Sequence, residues 1–218
     1  MKKKIIIIIA AVIVVLCGAL CLFGRALPSS AKITEVRNSI CSLDMDEKLF
    51  YRQTLNNCGP YSVMAVLNIL KKESLDPEQL ALEMNWRIYK NLTLPQGVVA
   101  LLHKYKVSTK EAILKNRSDE EKIVWLENRI EEGKPVILLI KIHHVLHYVT
   151  VLGYDEKGFM LYDSMQEKSE ENKRMTIVDE ECIAGNRYYS REELINLWNA
   201  GGYRIFFRNW AVVCSNKV

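Results

Sequence analysis

The pattern of apolar and polar positions divides the chain into an apolar leader, a helical half and a strand-rich half. Residues 5–23 form an unbroken apolar run without a single charge, which is about the length that a helix needs to cross a hydrocarbon core. Residues 24–50 are mixed in character and show only weak periodicity. The pattern therefore predicts a membrane-inserting helix, a tether and then a folded domain.

Helical spacing of apolar residues dominates the chain as far as Gly133. The helices are predicted at Cys58 to Lys72, 76–85, 95–105 and 118–132. Pro60 falls in the first turn of the first helix, where proline is tolerated. Ser118 and Glu121 have the spacing of a capping box at the start of the last one.

After Gly133 the pattern changes to short runs that are rich in valine and isoleucine, which is typical of strands. The strands are predicted at 135–142, 147–154, 159–163, 174–179 and 203–214. A further helix is predicted to begin at the second capping box, Ser190 and Glu193, and to end at Asn199. Helices first and antiparallel strands second predict an α+β fold with one core in two parts.

The charges beside the apolar run predict on which side of a membrane the domain lies. Three lysines at residues 2–4 precede the run, so the start of the chain is expected in the cytoplasm and the remainder outside the cell membrane. Small residues within 24–31 fit a peptidase site, and both a retained anchor and a cleaved signal peptide stay open. The predicted division is 1–31 for the leader with its tether and 32–218 for one folded domain.

The net charge of +4 comes from the leader, which has four basic residues and no acidic one. The rest of the chain then has 26 basic and 26 acidic side chains. A nearly neutral domain gives no support for nucleic-acid binding.

Cysteines are too sparse for a small disulfide-stapled scaffold, and none forms a CxxC pair. They are Cys17 and Cys21 in the apolar run and Cys41, Cys58, Cys182 and Cys214 beyond it. At most one bridge is expected among Cys41, Cys182 and Cys214, with its pairing left open.

The strongest chemical signal is the segment QTLNNCGPYSVMAVLNIL at 53–70. It places Cys58 at the N-terminal end of a helix, where the helix dipole and free backbone N–H groups favour a nucleophilic thiolate. Gln53 lies five positions earlier, and its side-chain N–H can stabilise an oxyanion together with the backbone N–H of Cys58.

A base and a residue that orients it are predicted on two adjacent strands. His147 begins one strand and Asp163 ends the next, so antiparallel pairing brings the two together. Asp155 is the rival carboxylate, but its Gly-Tyr-Asp-Glu-Lys-Gly context predicts a hairpin turn. His143 and His144 are expected to be solvent-facing loop residues, because the HHxxH spacing does not fit a zinc site.

These segments together resemble the C39-like peptidases, a papain-like group related to the domains that cleave bacteriocin leader peptides. The resemblance covers roughly residues 50–200: the Gln–Cys-Gly-Pro helix, the Pro-Val-Ile strand, the His-Tyr-Val-Thr-Val-Leu-Gly-Tyr-Asp strand, Tyr-Asp-Ser and the YYSREELINLW helix. It implies a papain-like fold, a Cys58, His147 and Asp163 triad, and Gln53 at the oxyanion hole. Ser164 departs from the pattern, because the family often has proline after the aspartate.

The expected activity is therefore thiol hydrolysis of a peptide or amide bond in a peptide or protein substrate, without a cofactor or metal. Two alternatives stay open. The same acyl-enzyme can pass its acyl group to an amine, which gives a transpeptidase or transglutaminase-like enzyme. The fold can also serve as a peptide-binding module without catalysis.

Overall fold

The computed structural model of the 218-residue chain describes residues 2–23, 33–35, 38–165, 185–203 and 206–217. Its α-helices are α1 (Lys2–Phe23), α2 (Cys58–Lys71), α3 (Pro77–Glu83), α4 (Pro95–Lys104), α5 (Asp119–Glu131) and α6 (Arg191–Asn199). Its strands are β1 (Cys41–Ser42), β2 (Val107–Ile113), β3 (Val136–Ile142), β4 (Val145–Tyr154), β5 (Gly158–Tyr162), β6 (Arg187–Ser190) and β7 (Trp210–Asn216). Short 3-10 helices lie at Glu47–Leu49 and Tyr89–Asn91.

The strands form one antiparallel sheet in the order β2-β7-β3-β4-β5-β6, and the short strand β1 pairs with the far end of β4. Helices α2 and α4 pack on one face, with α3 against α2, and α5 and α6 pack on the other. Alternate residues of β3 enter the two halves of the core: Ile137 and Leu139 face α2, and Leu138 and Ile140 face α6. Because both faces are covered, this strand is apolar except at Lys141, rather than alternating.

The predicted helices between residues 58 and 132 and the helix ending at Asn199 are confirmed to within a few residues. Both predicted capping boxes form. The Ser118 and Ser190 side chains accept from the backbone N–H of Glu121 and Glu193, and those two glutamates bond back to the cap residues.

The prediction that helices come first and strands second is wrong for residues 107–113. They form β2, which pairs with β7 over its whole length, from Val107 with Asn216 to Ile113 with Trp210. The sequence of this segment does not indicate a strand by itself, because a short half-exposed segment becomes a strand only when a distant strand lies beside it.

The predicted strand at 203–214 begins too early. The strand starts at Trp210, because Phe207 and Asn209 have positive φ values of 56° and 54° that interrupt the extended chain. The predicted strand at 174–179 and Cys182 lie outside the described residues.

The apolar run of the leader is helical, and its described side chains from Ile5 to Leu16 are mostly exposed. The structure describes the side chains of α1 from Lys3 to Ala19. Within the described part of the chain, no helix is long and apolar enough to cross a membrane.

Cys41 and Cys214 are free thiols, so the two do not form the one bridge considered for this chain. Burial raises the pKa of both thiols, and Cys214 is completely buried on β7.

The two-residue turn between β3 and β4 is strained, because His143 and His144 both have positive φ values, of 46° and 69°. Asparagine followed by glycine is the pair that such a turn favours. Replacing both residues, His143→Asn with His144→Gly, is therefore expected to raise the free energy of unfolding by about 1 kcal/mol. Thermal unfolding would measure this as an increase in Tm of roughly 3 °C, and a lower Tm would contradict the strain argument.

Candidate active site

Cys58 lies in the first turn of α2, and no side chain caps the backbone N–H groups of this turn. Cys58 is the first residue of the helix, and the N-cap residue Asn57 makes no capping hydrogen bond to it. The first backbone N–H groups of any helix have no partner within that helix. The N–H groups at Cys58 and Gly59 are therefore placed to donate to a group bound above the thiol.

Asn57 does not cap the helix because its side chain is hydrogen-bonded within a cluster of polar residues. Its amide donates to Thr54 Oγ1 at 2.7 Å and to Glu78 Oε2 at 3.1 Å, and its Oδ1 accepts from Arg87. The Arg87 guanidinium also donates to the carbonyl oxygen of Asn91 at 2.8 Å. This cluster ties the turn before Cys58 to the loop that follows α3.

His147 and Asp163 meet because β4 and β5 are antiparallel neighbours. The pairing of Thr150 with Tyr162 places the residue after β5 beside the start of β4. The Nε2 atom of His147 lies 2.8 Å from Oδ1 of Asp163, and the side chains are 1% and 0% exposed. An ionised carboxylate can only accept, so Nε2 carries the hydrogen of this bond.

Asp163 is held from three further directions. The Arg187 Nε atom lies 3.2 Å from its Oδ2, and the backbone N–H of Met165 donates to its Oδ1 at 2.8 Å. The Asn186 side chain binds the main chain of Asp163. Its Oδ1 accepts from the Asp163 N–H at 2.8 Å, and its Nδ2 donates to the Asp163 carbonyl at 2.9 Å. A buried carboxylate with this many partners keeps its charge and its orientation.

The electrostatics of the pair follow from this geometry. Burial by itself lowers the pKa of His147, but the charge and hydrogen bond of Asp163, together with the Cys58 thiol, raise it well above the usual range. Burial raises the pKa of Asp163, but His147 and Arg187 outweigh it, and the pKa of the carboxyl falls below its usual value. The charged pair is thus favoured at neutral pH.

Cys58 is the group available to interact with the second ring nitrogen of His147, Nδ1. Nδ1 of His147 is buried and has no hydrogen-bond partner of good geometry among the described residues. Cys58 and His147 line the same cavity, and the thiol acts electrostatically on the imidazole.

This cavity has a volume of about 240 Å³ and a mainly apolar wall. Its lining residues are Gln53, Asn56, Cys58, Leu92, Thr93, Leu139, His144, Val145, Leu146, His147, Tyr148, Met165 and Tyr203. An apolar cleft with a few convergent polar groups is the usual form of a binding site.

Gln53 borders the cavity and is fixed to the turn after β5. Its backbone N–H donates to the carbonyl oxygen of Ser164 at 2.8 Å, and its Oε1 accepts from the Ser164 hydroxyl at 2.7 Å. The structure thus brings all four predicted site residues together: three line the cavity, and Asp163 lies behind His147.

The rival residues lie where the sequence predicted them. Asp155 is in the β4–β5 turn, where its Oδ1 accepts from the backbone N–H groups of Lys157 and Gly158 at 2.7 Å each. His143 and His144 are exposed in the turn before β4, although His144 also reaches the rim of the cavity. Among the described residues, no group of side chains is arranged to hold a metal ion.

Arg187, Asn186 and Ser164 were not recognised as part of the site from the sequence. Asn186 lies 23 positions from the aspartate that it holds, and no local pattern marks it. Ser164 did carry a signal, since it replaces the proline that the resemblance leads one to expect.

Comparison with known proteins agrees with this fold. Residues 45–197 match the model of the Peptidase_C39 like family. No curated protein matches the chain. A putative C39-like peptidase from Bacillus anthracis is 15% identical, with a TM-score of 0.52 over 83% of this chain and 99% of that one.

A second similar structure is a double glycine motif protease from an AMS/PCAT transporter, solved in complex with the leader peptide. It is 14% identical, with a TM-score of 0.50 over 85% of this chain and 100% of that one. Both structures share the α+β fold described above.

A helix that begins with a cysteine, beside a sheet that carries a paired histidine, is an arrangement found in cysteine-type peptidases, and the family match places the chain in that class. The chain belongs to the Peptidase_C39 like family.

Proposed function

We propose that the chain hydrolyses peptide bonds with Cys58 as nucleophile, His147 as base, Asp163 as the residue that orients the base, and Gln53 as an oxyanion donor. The observation that supports this most directly is the 2.8 Å contact between His147 Nε2 and Asp163 Oδ1, which leaves Nδ1 for the thiol. Family membership supports the same activity.

The residues have different tasks in the proposed reaction. His147 takes the thiol proton, and the Cys58 thiolate attacks the carbonyl carbon of the substrate. The Gln53 amide and the backbone N–H of Cys58 donate to the developing oxyanion. His147 then protonates the leaving amine and activates the water that hydrolyses the acyl-enzyme. No cofactor takes part in these steps.

A peptide is the proposed substrate. The cavity is mainly apolar and opens beside the thiol, which suits an extended chain with apolar side chains. The similar double glycine motif protease was solved with a leader peptide bound. This supports a peptide as the ligand without fixing its sequence.

The rate of iodoacetamide alkylation tests the proposed Cys–His pair. An imidazolium beside a thiol favours the thiolate, which is the form that reacts. At pH 7, His147→Ala is expected to slow alkylation of Cys58 about tenfold or more, as followed by mass spectrometry of the peptide that contains Cys58. The matched control is His103→Ala, which removes an exposed histidine on α4 whose partner is Thr109.

Equal rates for wild type and His147→Ala would contradict the proposed pair.

Product analysis separates the two reactions that share an acyl-enzyme. Incubation with a peptide library and an added amine is expected to give hydrolysed peptides. Amine adducts as the main products would instead favour the transferase.

We further propose that the leader directs residues 32–218 to the outer side of the cell membrane, as an anchor or a cleaved signal. The uncharged run 5–23 after three lysines supports this, as do the exposed apolar side chains of α1. A reporter that is active only outside the cytoplasm, fused after Val218, is expected to be active. Activity of a cytoplasmic reporter at the same position would refute the orientation.

A further inference from the structure

We propose that Ser164 is a positioning residue that orients the side-chain amide of Gln53, so that Nε2 rather than Oε1 faces the reacting carbonyl oxygen. This inference rests on the proposed function, because it assigns a support to the oxyanion donor of that reaction. It concerns residue 164, where this chain has serine and its resemblance to the family suggests proline.

Ser164 holds Gln53 at two points. The serine is 1% exposed, and its hydroxyl donates to Oε1 of Gln53 at 2.7 Å. The backbone N–H of Gln53 donates to the Ser164 carbonyl at 2.8 Å. The two contacts fix the main chain and the far end of the same side chain, which restricts rotation of the amide.

The orientation of this amide matters because its two ends have nearly the same shape and opposite hydrogen-bonding character. With Oε1 accepting from Ser164, the N–H₂ end is left to donate. A half-turn of the amide would present a carbonyl oxygen to the developing oxyanion, which would repel it. Donation from the hydroxyl opposes that rotation before the substrate binds, and preorganisation of this kind is the basis of oxyanion stabilisation.

The same short turn supports the base as well as the oxyanion donor. Asp163 binds His147, and the adjacent Ser164 binds Gln53. Asn186 fixes the turn through both main-chain groups of Asp163. A proline at 164 would keep the carbonyl that accepts from the Gln53 N–H, but it has no hydroxyl to hold the side-chain amide of Gln53.

Two reagents, applied to the 218-residue chain, separate positioning of Gln53 from a structural role of Ser164. Acetylation of Cys58 by p-nitrophenyl acetate passes through a tetrahedral oxyanion, forming the thioester and releasing p-nitrophenolate. Alkylation by iodoacetamide displaces iodide and forms no such oxyanion. Ser164→Ala is expected to slow acetylation about fivefold to tenfold, the effect of one hydrogen bond, while alkylation changes less than twofold.

A double-mutant cycle tests whether Ser164 acts through Gln53. Gln53→Ala is expected to slow acetylation about 100-fold, and adding Ser164→Ala is expected to cause no further loss. The matched control is Thr150→Val, which removes another buried hydroxyl, one that donates to the Ser62 carbonyl at 3.3 Å. This control is expected to leave both rates within twofold of wild type.

The inference is overturned if Ser164→Ala leaves acetylation unchanged, slows both reactions equally, or slows acetylation further in the Gln53→Ala background. Failure of the proposed function has a different signature. In that case p-nitrophenolate is released by Cys58→Ala as fast as by wild type, or Gln53→Ala is acetylated as fast as wild type.

Discussion

Replacing Cys58 with alanine is expected to abolish peptide hydrolysis, with a loss in kcat of at least ~10³-fold. Without the sulfur atom there is no nucleophile and no acyl-enzyme, and the remaining donors can only bind the substrate. The change removes one buried atom at the start of α2, where the surrounding polar cluster is held by Asn57 and Arg87. The variant is therefore expected to fold.

Cleavage of a peptide library, followed by mass spectrometry, measures this loss. Cys41→Ala is the matched control, since Cys41 is a free, partly buried thiol on the short strand β1. It is expected to retain activity within about twofold, as substitutions remote from a site usually do. Full cleavage by Cys58→Ala would exclude the thiol mechanism and favour a peptide-binding module contaminated by another peptidase.

Asp163→Asn is expected to lower peptide hydrolysis at neutral pH by ~10²-fold to 10⁴-fold. The charge of Asp163 is what raises the pKa of His147 against the opposing effect of burial. Without that charge, the pKa of His147 falls, and the imidazolium that favours the thiolate is lost at neutral pH. The alkaline limb of the pH–rate profile should therefore move to lower pH.

Asp155→Asn is the matched control, because that carboxylate accepts from the backbone of the β4–β5 turn and from the Tyr188 hydroxyl. It is expected to leave the position of the alkaline limb unchanged. An Asp163→Asn profile that coincides with that of wild type would show that the carboxylate does not set the state of His147.

The same substitution should flatten the pH dependence of stability. The pKa of Asp163 is lowered in the folded protein. Its contribution to the free energy of unfolding is therefore present above the unfolded-state pKa of about 4 and is lost as the pH falls. The pKa of His147 is raised to about 10, so its contribution is complete below about 6.5 and is lost as the pH rises toward the folded value. Urea unfolding from pH 3 to 10 would measure both limbs.

The elements with strong local signals were predictable from the sequence. The two capping boxes at Ser118 and Ser190 form as expected, since a cap is made by residues three positions apart. Cys58 at the start of α2 was predictable from the helical spacing of the apolar residues after it and from Pro60 in the first turn. The neighbouring strands that bring His147 and Asp163 together followed from two apolar runs joined by a turn.

Residues whose role depends on distant partners were not predictable. The segment 107–113 becomes a strand because β7 lies beside it, and its own pattern did not indicate this. Arg187 lies on the neighbouring strand β6 and is buried because it pairs with Asp163, whereas most arginines are on the surface.

The sequence by itself determined the helix that begins at Cys58, the apolar runs that form the two halves of the core and the residue types at the candidate site, because periodicity, caps and residue chemistry act over a few positions. Only the tertiary structure decided that Ser164 meets Gln53 and that Asn186 and Arg187 enclose Asp163. Those contacts depend on strand register and on the path of the chain between strands. The local sequence pattern specifies neither of these two features.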